Sequence, residues 1–186
     1  LKDNDILIML SDHGMERLEV EVNINAYLSE GGYLKLDRSR RGYSGIQAGT
    51  KAFALEPSRI YLNLEGRYPR GSVRAGEVEE LLEELTDFFY QLRWDGRKVI
   101  KRVWRKDEIY HGPFLADAPD LVLIPSKGFA LNTRPSKQEV FEKSDLTGKH
   151  NDEAFLYVRG KENASAIPED PSVEDVVGIL RRLWEA

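Results

Sequence analysis

The sequence predicts an α/β fold, and three observations carry the prediction. The run Ile6-Leu7-Ile8-Met9-Leu10 is wholly apolar and reads as a strand buried on both faces, as in a parallel sheet covered by helices. Within residues 77–92, Val78, Leu81, Leu82, Leu85, Phe88, Phe89 and Leu92 recur at spacings of three and four, the period of an amphipathic helix. Strand-like and helix-like segments then alternate to the end of the chain.

After the first strand, residues 24–30 read as a short helix stopped by Gly31-Gly32, with a short strand over 33–36. Residues 37–57, rich in Arg, Ser and Gly, read as an irregular excursion. Arg59-Ile60-Tyr61-Leu62-Asn63-Leu64 alternates as a strand does, and a Gly/Pro-punctuated loop leads to the long helix. Asp95-Gly96 marks a turn before a strand over 99–104, and Pro119-Asp120 breaks the chain before a second wholly apolar strand at 121–124. Residues 154–158 give the last strand. Residues 172–184 give a closing amphipathic helix, capped by Ser172, with Val176, Val177, Leu180, Leu183 and Trp184 facing inward. No repeat, low-complexity tract or linker divides the chain, so residues 1–186 are expected to form a single domain.

The 186 residues are 41% hydrophobic, enough for a core of ordinary domain size. Twenty-seven basic side chains against 32 acidic leave a net charge of −5, and no long basic tract occurs, which argues against nucleic acid as a partner. The cluster Arg38, Arg40 and Arg41 is explained by a solvated loop. No cysteine is present, so disulfides and thiolate metal sites are excluded. No apolar window is long enough to span a membrane, and residues 1–10 lack the pattern of a signal peptide. The default expectation is a cytoplasmic protein with no membrane partner.

Ser11-Asp12-His13-Gly14 follows the first strand, where the active sites of open α/β sheets lie. Side chains of neighbouring residues diverge within a strand, but beyond its end Asp12 and His13 can converge, and Gly14 permits the turn. A carboxylate oxygen and an imidazole nitrogen suit Zn²⁺ at about 2.0–2.2 Å, and Mn²⁺ less selectively. The plainer alternative is a capping Asp12 and an ordinary loop His13. Near the other end, Asp145-Leu146-Thr147-Gly148-Lys149-His150 sets a histidine behind a glycine turn and before a strand; a surface histidine is again the alternative. His111, in Tyr110-His111-Gly112-Pro113, is read as structural, Arg67 as the partner of a salt bridge in its own loop, and the acidic run 77–84 as a solvated helix face.

Together these segments resemble the alkaline-phosphatase superfamily, which carries a Ser-Asp-His-Gly motif after a core strand and a Thr-Gly-x-His motif before a late one. The stretch between resembles its type I phosphodiesterase and nucleotide-pyrophosphatase branch: Val22-Asn23-Ile24-Asn25-Ala26-Tyr27-Leu28, Gly31-Gly32-Tyr33-Leu34, Ile60-Tyr61-Leu62-Asn63-Leu64-Glu65-Gly66-Arg67, Glu108-Ile109-Tyr110-His111-Gly112-Pro113 and Ala118-Pro119-Asp120-Leu121. The resemblance spans residues 4–160. It implies the C-terminal part of an alkaline-phosphatase-like sandwich, a mostly parallel sheet flanked by helices. It also implies a two-metal site, zinc first and manganese as the alternative, in which Asp12 and His13 hold one ion and His150 the other. The substrate implied is a phosphoester, cleaved through a covalent phospho-enzyme on a Thr or Ser nucleophile.

The family's nucleophile, its first metal-binding aspartate and an Asp-x-x-x-His pair all precede Ser-Asp-His-Gly, and only ten residues do so here. The ions are therefore incompletely liganded, the chain holds no catalytic nucleophile, and the expectation is a C-terminal portion of a longer enzyme, inactive alone. Its first partner would be the missing N-terminal part of the same domain; otherwise the exposed sheet edge would be covered in a homodimer. Phosphomonoesterase, phosphomutase or sulfatase activity within the superfamily, or a non-catalytic interaction module on the same fold, are the alternatives.

Overall fold

The computed structural model describes residues 5–37, 39–40, 42–135, 137–160 and 167–185. In chain order these form β1 (Leu7–Leu10), β2 (Gly14–Arg17), β3 (Val20–Asn23), α1 (Ile24–Glu30), β4 (Ala52–Glu56), β5 (Arg59–Leu62) and α2 (Val78–Gln91). There follow β6 (Arg93–Trp94), β7 (Arg97–Lys98), β8 (Ile100–Arg105), α3 (Lys106–Ile109), β9 (Leu121–Pro125) and β10 (Phe129–Asn132). The chain ends with β11 (Phe141–Glu142), β12 (Gly148–Asn151), β13 (Leu156–Arg159) and α4 (Val176–Glu185). They group into two compact units, Arg17–Thr147 and the pair of terminal segments Leu1–Glu16 and Gly148–Ala186.

In the larger unit, Asn23 caps α1 by accepting from the Ala26 amide at 3.3 Å. Gly31 ends the helix, and a Cβ there would meet the Phe88 ring at 2.5 Å, so the stop is also a close approach. Helix α2 buries Leu81, Leu82, Leu85 and Phe89 in one core with Ile60, Leu62, Leu121 and Leu123. The strands behind that core run in the order β4-β5-β9-β8, all antiparallel, and a second sheet runs β10-β3-β11. Asp95, at φ 48°, and Gly96, at φ 74°, make the left-handed turn that closes the β6–β7 hairpin.

Three expectations change here. Among the described ladders with an assigned direction, only β3–β10 is parallel, so the sheets are mixed and chiefly antiparallel. The connection from β4 to β5 is too short for anything but a reversal. Residues 33–36 form no strand: Tyr33 and Leu34 turn into the core, and Leu36 makes one isolated bridge to Ile46. The excursion at 37–57 contains β4, whose Ala52, Phe53 and Ala54 are buried.

In the smaller unit, β1 pairs antiparallel with β13, and Ile8, Leu156 and Val158 pack on Ile179 and Leu183 of α4. A helix on one side of a two-stranded ladder covers one face only. Ile6, Met9 and Leu10 are 44–50% exposed, against the double burial expected from the apolar run. The inward face of α4 is likewise rotated from the one expected: Ile179 and Leu183 face the core, while Val177, Leu180 and Trp184 face solvent. Ser172 precedes α4 and donates its amide and hydroxyl to the Asp175 carboxylate at 2.9 and 3.1 Å.

Candidate metal centre

The turn after β1 is fastened before it presents any functional side chain. The Ser11 amide donates to the Phe155 carbonyl at 3.0 Å, and the Phe155 amide donates to Ser11 Oγ at 3.1 Å. Gly14 follows at a place where no other residue fits, since a Cβ would lie 2.2 Å from both Asn151 Oδ1 and the Glu153 carbonyl. Strands β2 and β12 then run side by side as a two-stranded sheet, tied by an ion pair of 2.9 Å between Lys149 and Glu16.

This arrangement brings His13 and His150 together. Their rings stack with centroids 3.6 Å apart and planes 17° from parallel. His13 Nδ1 contacts the Gly14 carbonyl at 3.1 Å, a contact that holds the proton on Nδ1 and leaves Nε2 as the acceptor. Asp12 Oδ1 lies 3.5 Å from that Nε2. Two ligand atoms each about 2.1 Å from one tetrahedral ion stand about 3.4 Å apart, so this pair fits a common ion. His150 does not join it, because a ligated ion lies in the plane of its imidazole and the two planes are nearly parallel and offset. Among the described residues, no group of three or more His, Asp or Glu side chains is gathered to hold a metal.

The other candidates fall outside this cluster. His111 is exposed in its loop, beside Gly112 at φ 99°. Arg67 donates to the Asp117 carbonyl at 3.1 Å and lies over the Tyr68 ring, in place of the expected salt bridge. Arg40 pairs with Asp37 at 3.6 Å in a solvated loop, while Arg38 and Arg41 lie outside the described residues. Within the acidic run, Glu84 accepts from the Tyr33 hydroxyl at 2.8 Å and Glu79 pairs with Arg105, so that face is more than solvated charge.

Among the described residues, four of the five buried polar ones, Asn23, Asn25, Asn63 and Asp120, belong to the segments that carry the family resemblance. Each satisfies backbone. Asn25 exchanges two hydrogen bonds with Ala54, at 2.8 and 2.9 Å, and Asn63 donates to the Thr50 and Arg70 carbonyls at 2.8 and 2.7 Å. Asp120 accepts from the Leu62 amide and from Lys106 Nζ, both at 2.8 Å.

The sequence profile described as Type I phosphodiesterase / nucleotide pyrophosphatase matches residues 1–152. The chain belongs to that family. Two crystal structures share the fold of this phosphodiesterase-family chain: phosphonoacetate hydrolase from Sinorhizobium meliloti 1021 with phosphonoformate, at 12% identity, and with phosphonoacetate, at 13%. Both superpose with a TM-score of 0.51 over 96% of this chain and 41% of the hydrolase chain. The chain thus spans less than half the length of those hydrolases. No curated protein matches the sequence.

Sequence reasoning missed Glu16, Lys149 and Asn151, which build the ladder behind the histidines. Their only signal is position. Lys149 adjoins His150, and Glu16 lies three residues beyond His13.

Proposed function

We propose that this chain is the C-terminal portion of a metal-dependent phosphoester hydrolase of the phosphodiesterase or nucleotide-pyrophosphatase type. The observation that carries the reading is the placement of Asp12 and His13 as a pair suited to one ion, with His150 stacked beside them in a separate plane. Divalent ions held there would supply charge neutralisation and nucleophile activation. Zn²⁺ suits these donors first and Mn²⁺ second. Asp12 and His13 hold one position. His150 marks the other.

Donation from His13 Nδ1 to the Gly14 carbonyl orients the ring so that Nε2 is the nitrogen turned toward Asp12. The turn fastened by Ser11 keeps Asp12 beside it. The nucleophile and the remaining ligands are assigned to chain that precedes Leu1 in the whole enzyme, as the family resemblance implies. Such a segment would also cover the half-exposed Ile6, Met9 and Leu10. The 186 residues alone are expected to turn over little or no substrate.

The test is hydrolysis of an aryl phosphodiester by the whole enzyme, with and without chelator. His13→Ala and His150→Ala should each abolish the metal-dependent rate, and wild-type turnover in both would sink the assignment. Phosphate monoesters and sulfate esters assayed in parallel decide the ester class. Elemental analysis showing no metal in the intact enzyme would favour a non-catalytic module.

A further inference from the structure

Lys149 and Glu16 are 19% and 13% exposed, a half-buried ion pair in a unit whose other polar contacts are mostly open to water. Lys149 and His150 are successive residues of β12, so their side chains leave on opposite faces of the ladder. The ammonium therefore cannot share the ground of the stacked imidazoles, and its partner Glu16 lies in β2, directly after the turn that carries His13. A slip of the ladder by one residue would carry His150 to the face that Lys149 occupies, and would leave both charges half-buried without a counter-ion.

We infer that the Lys149–Glu16 ion pair is a positioning device: it pins the register of β2 against β12 and so holds His13 and His150 ring to ring. Steric fit at Gly14 already disfavours sliding, since no other residue fits against Asn151 and the Glu153 carbonyl. The ion pair adds a charge pairing that only the same register satisfies. Neither residue touches metal or substrate. The inference rests on the metal-site reading for its purpose, although the register itself is testable without it.

The experiment uses the 186-residue chain and reads the nuclear Overhauser cross-peak between the ring protons of His13 and His150. Lys149→Met and Glu16→Gln should each reduce that cross-peak by at least half. They should also weaken Zn²⁺ binding, since the rings that would hold the ions are no longer kept in place. The exchanged pair, Glu16→Lys with Lys149→Glu, should restore both, a rescue that general destabilisation would not produce. An unchanged cross-peak in Lys149→Met overturns the inference, and so does a failure of the exchanged pair to restore it. Absence of Zn²⁺ from the whole enzyme would count against the proposed function, while the cross-peak alone decides the register.

Discussion

His13 and His150 lie ring over ring, 3.6 Å between centroids, although one follows the first strand of the chain and the other stands in the last but one. The two-stranded β2–β12 sheet makes that meeting, and the residues around the rings (Ser11, Gly14, Glu16, Lys149, Asn151) serve it. That meeting is therefore a property of strand pairing more than of either loop, which directs the first prediction.

Gly14→Ala should loosen the smaller unit. Its methyl would fall 2.2 Å from Asn151 Oδ1 and from the Glu153 carbonyl, and the carbonyl belongs to backbone that cannot swing away. Overpacking of this kind costs about 1–3 kcal/mol. Hydrogen exchange at the Leu156 and Val158 amides should accelerate correspondingly, with Leu62 and Leu123 in the larger unit as controls.

Phe89→Ala should be among the most damaging single changes in the larger unit. The ring is fully buried on α2, and removing it leaves a cavity costing about 3–5 kcal/mol. Glu83→Ala, on the exposed face of the same helix, should stay within about 0.5 kcal/mol of wild type in urea denaturation.

Asp120→Ala should destabilise the larger unit by about 3 kcal/mol, at the low end for a broken buried pair because Lys106 keeps some contact with water. The carboxylate is 1% exposed, and its loss strands both the Lys106 ammonium and the Leu62 amide. Asp120→Asn should recover only part of the deficit, since the amide keeps an acceptor for Leu62 and forfeits the charge. Comparison of urea midpoints checks the order.

Glu77 should titrate far below an ordinary glutamate. Hydrogen bonds from the Arg74 side chain and amide hold its carboxyl down to about 2, against a usual value of 4.5. A lowered folded value means the contact contributes above 4.5 and is lost as pH falls toward 2. The side-chain carboxyl shift of Glu77, followed by NMR, should show its midpoint there. Arg74→Ala should return it toward 4.5. A wild-type midpoint near 4.5 would refute the account.

What could be read from the sequence divides along physical lines. The long amphipathic period of α2 and the Asp95-Gly96 turn are local signals, and both are found in the structure. So are the apolar runs of β1 and β9 as strands. Burial of β1 was not legible, because an apolar run records hydrophobicity and not how many layers cover it. The face of α4 was misread for a related reason: Val177, Leu180 and Trp184 are as apolar as Ile179 and Leu183, so periodicity alone cannot choose the stripe that packs. Strands β4 and β10 are short and lie close to glycines, which leaves little alternation to read, whereas β3 alternates over Leu18, Val20, Val22 and Ile24 and was legible but overlooked. At the site, Asp12, His13 and His150 were visible by residue type, and the structure draws them into one neighbourhood. The ion pair that flanks them was invisible, for it depends on which strand lies beside which.

Helix α4 gives the molecule an optical handle. Trp184 is 92% exposed, whereas the remaining tryptophans, Trp94 and Trp104, are partly shielded in the larger unit. An indole in water emits at longer wavelength than one against protein, so the red component of the intrinsic fluorescence belongs chiefly to Trp184. Whatever covers the outer stripe of Val173, Val177, Leu180 and Trp184 would announce itself as a blue shift, with no label attached.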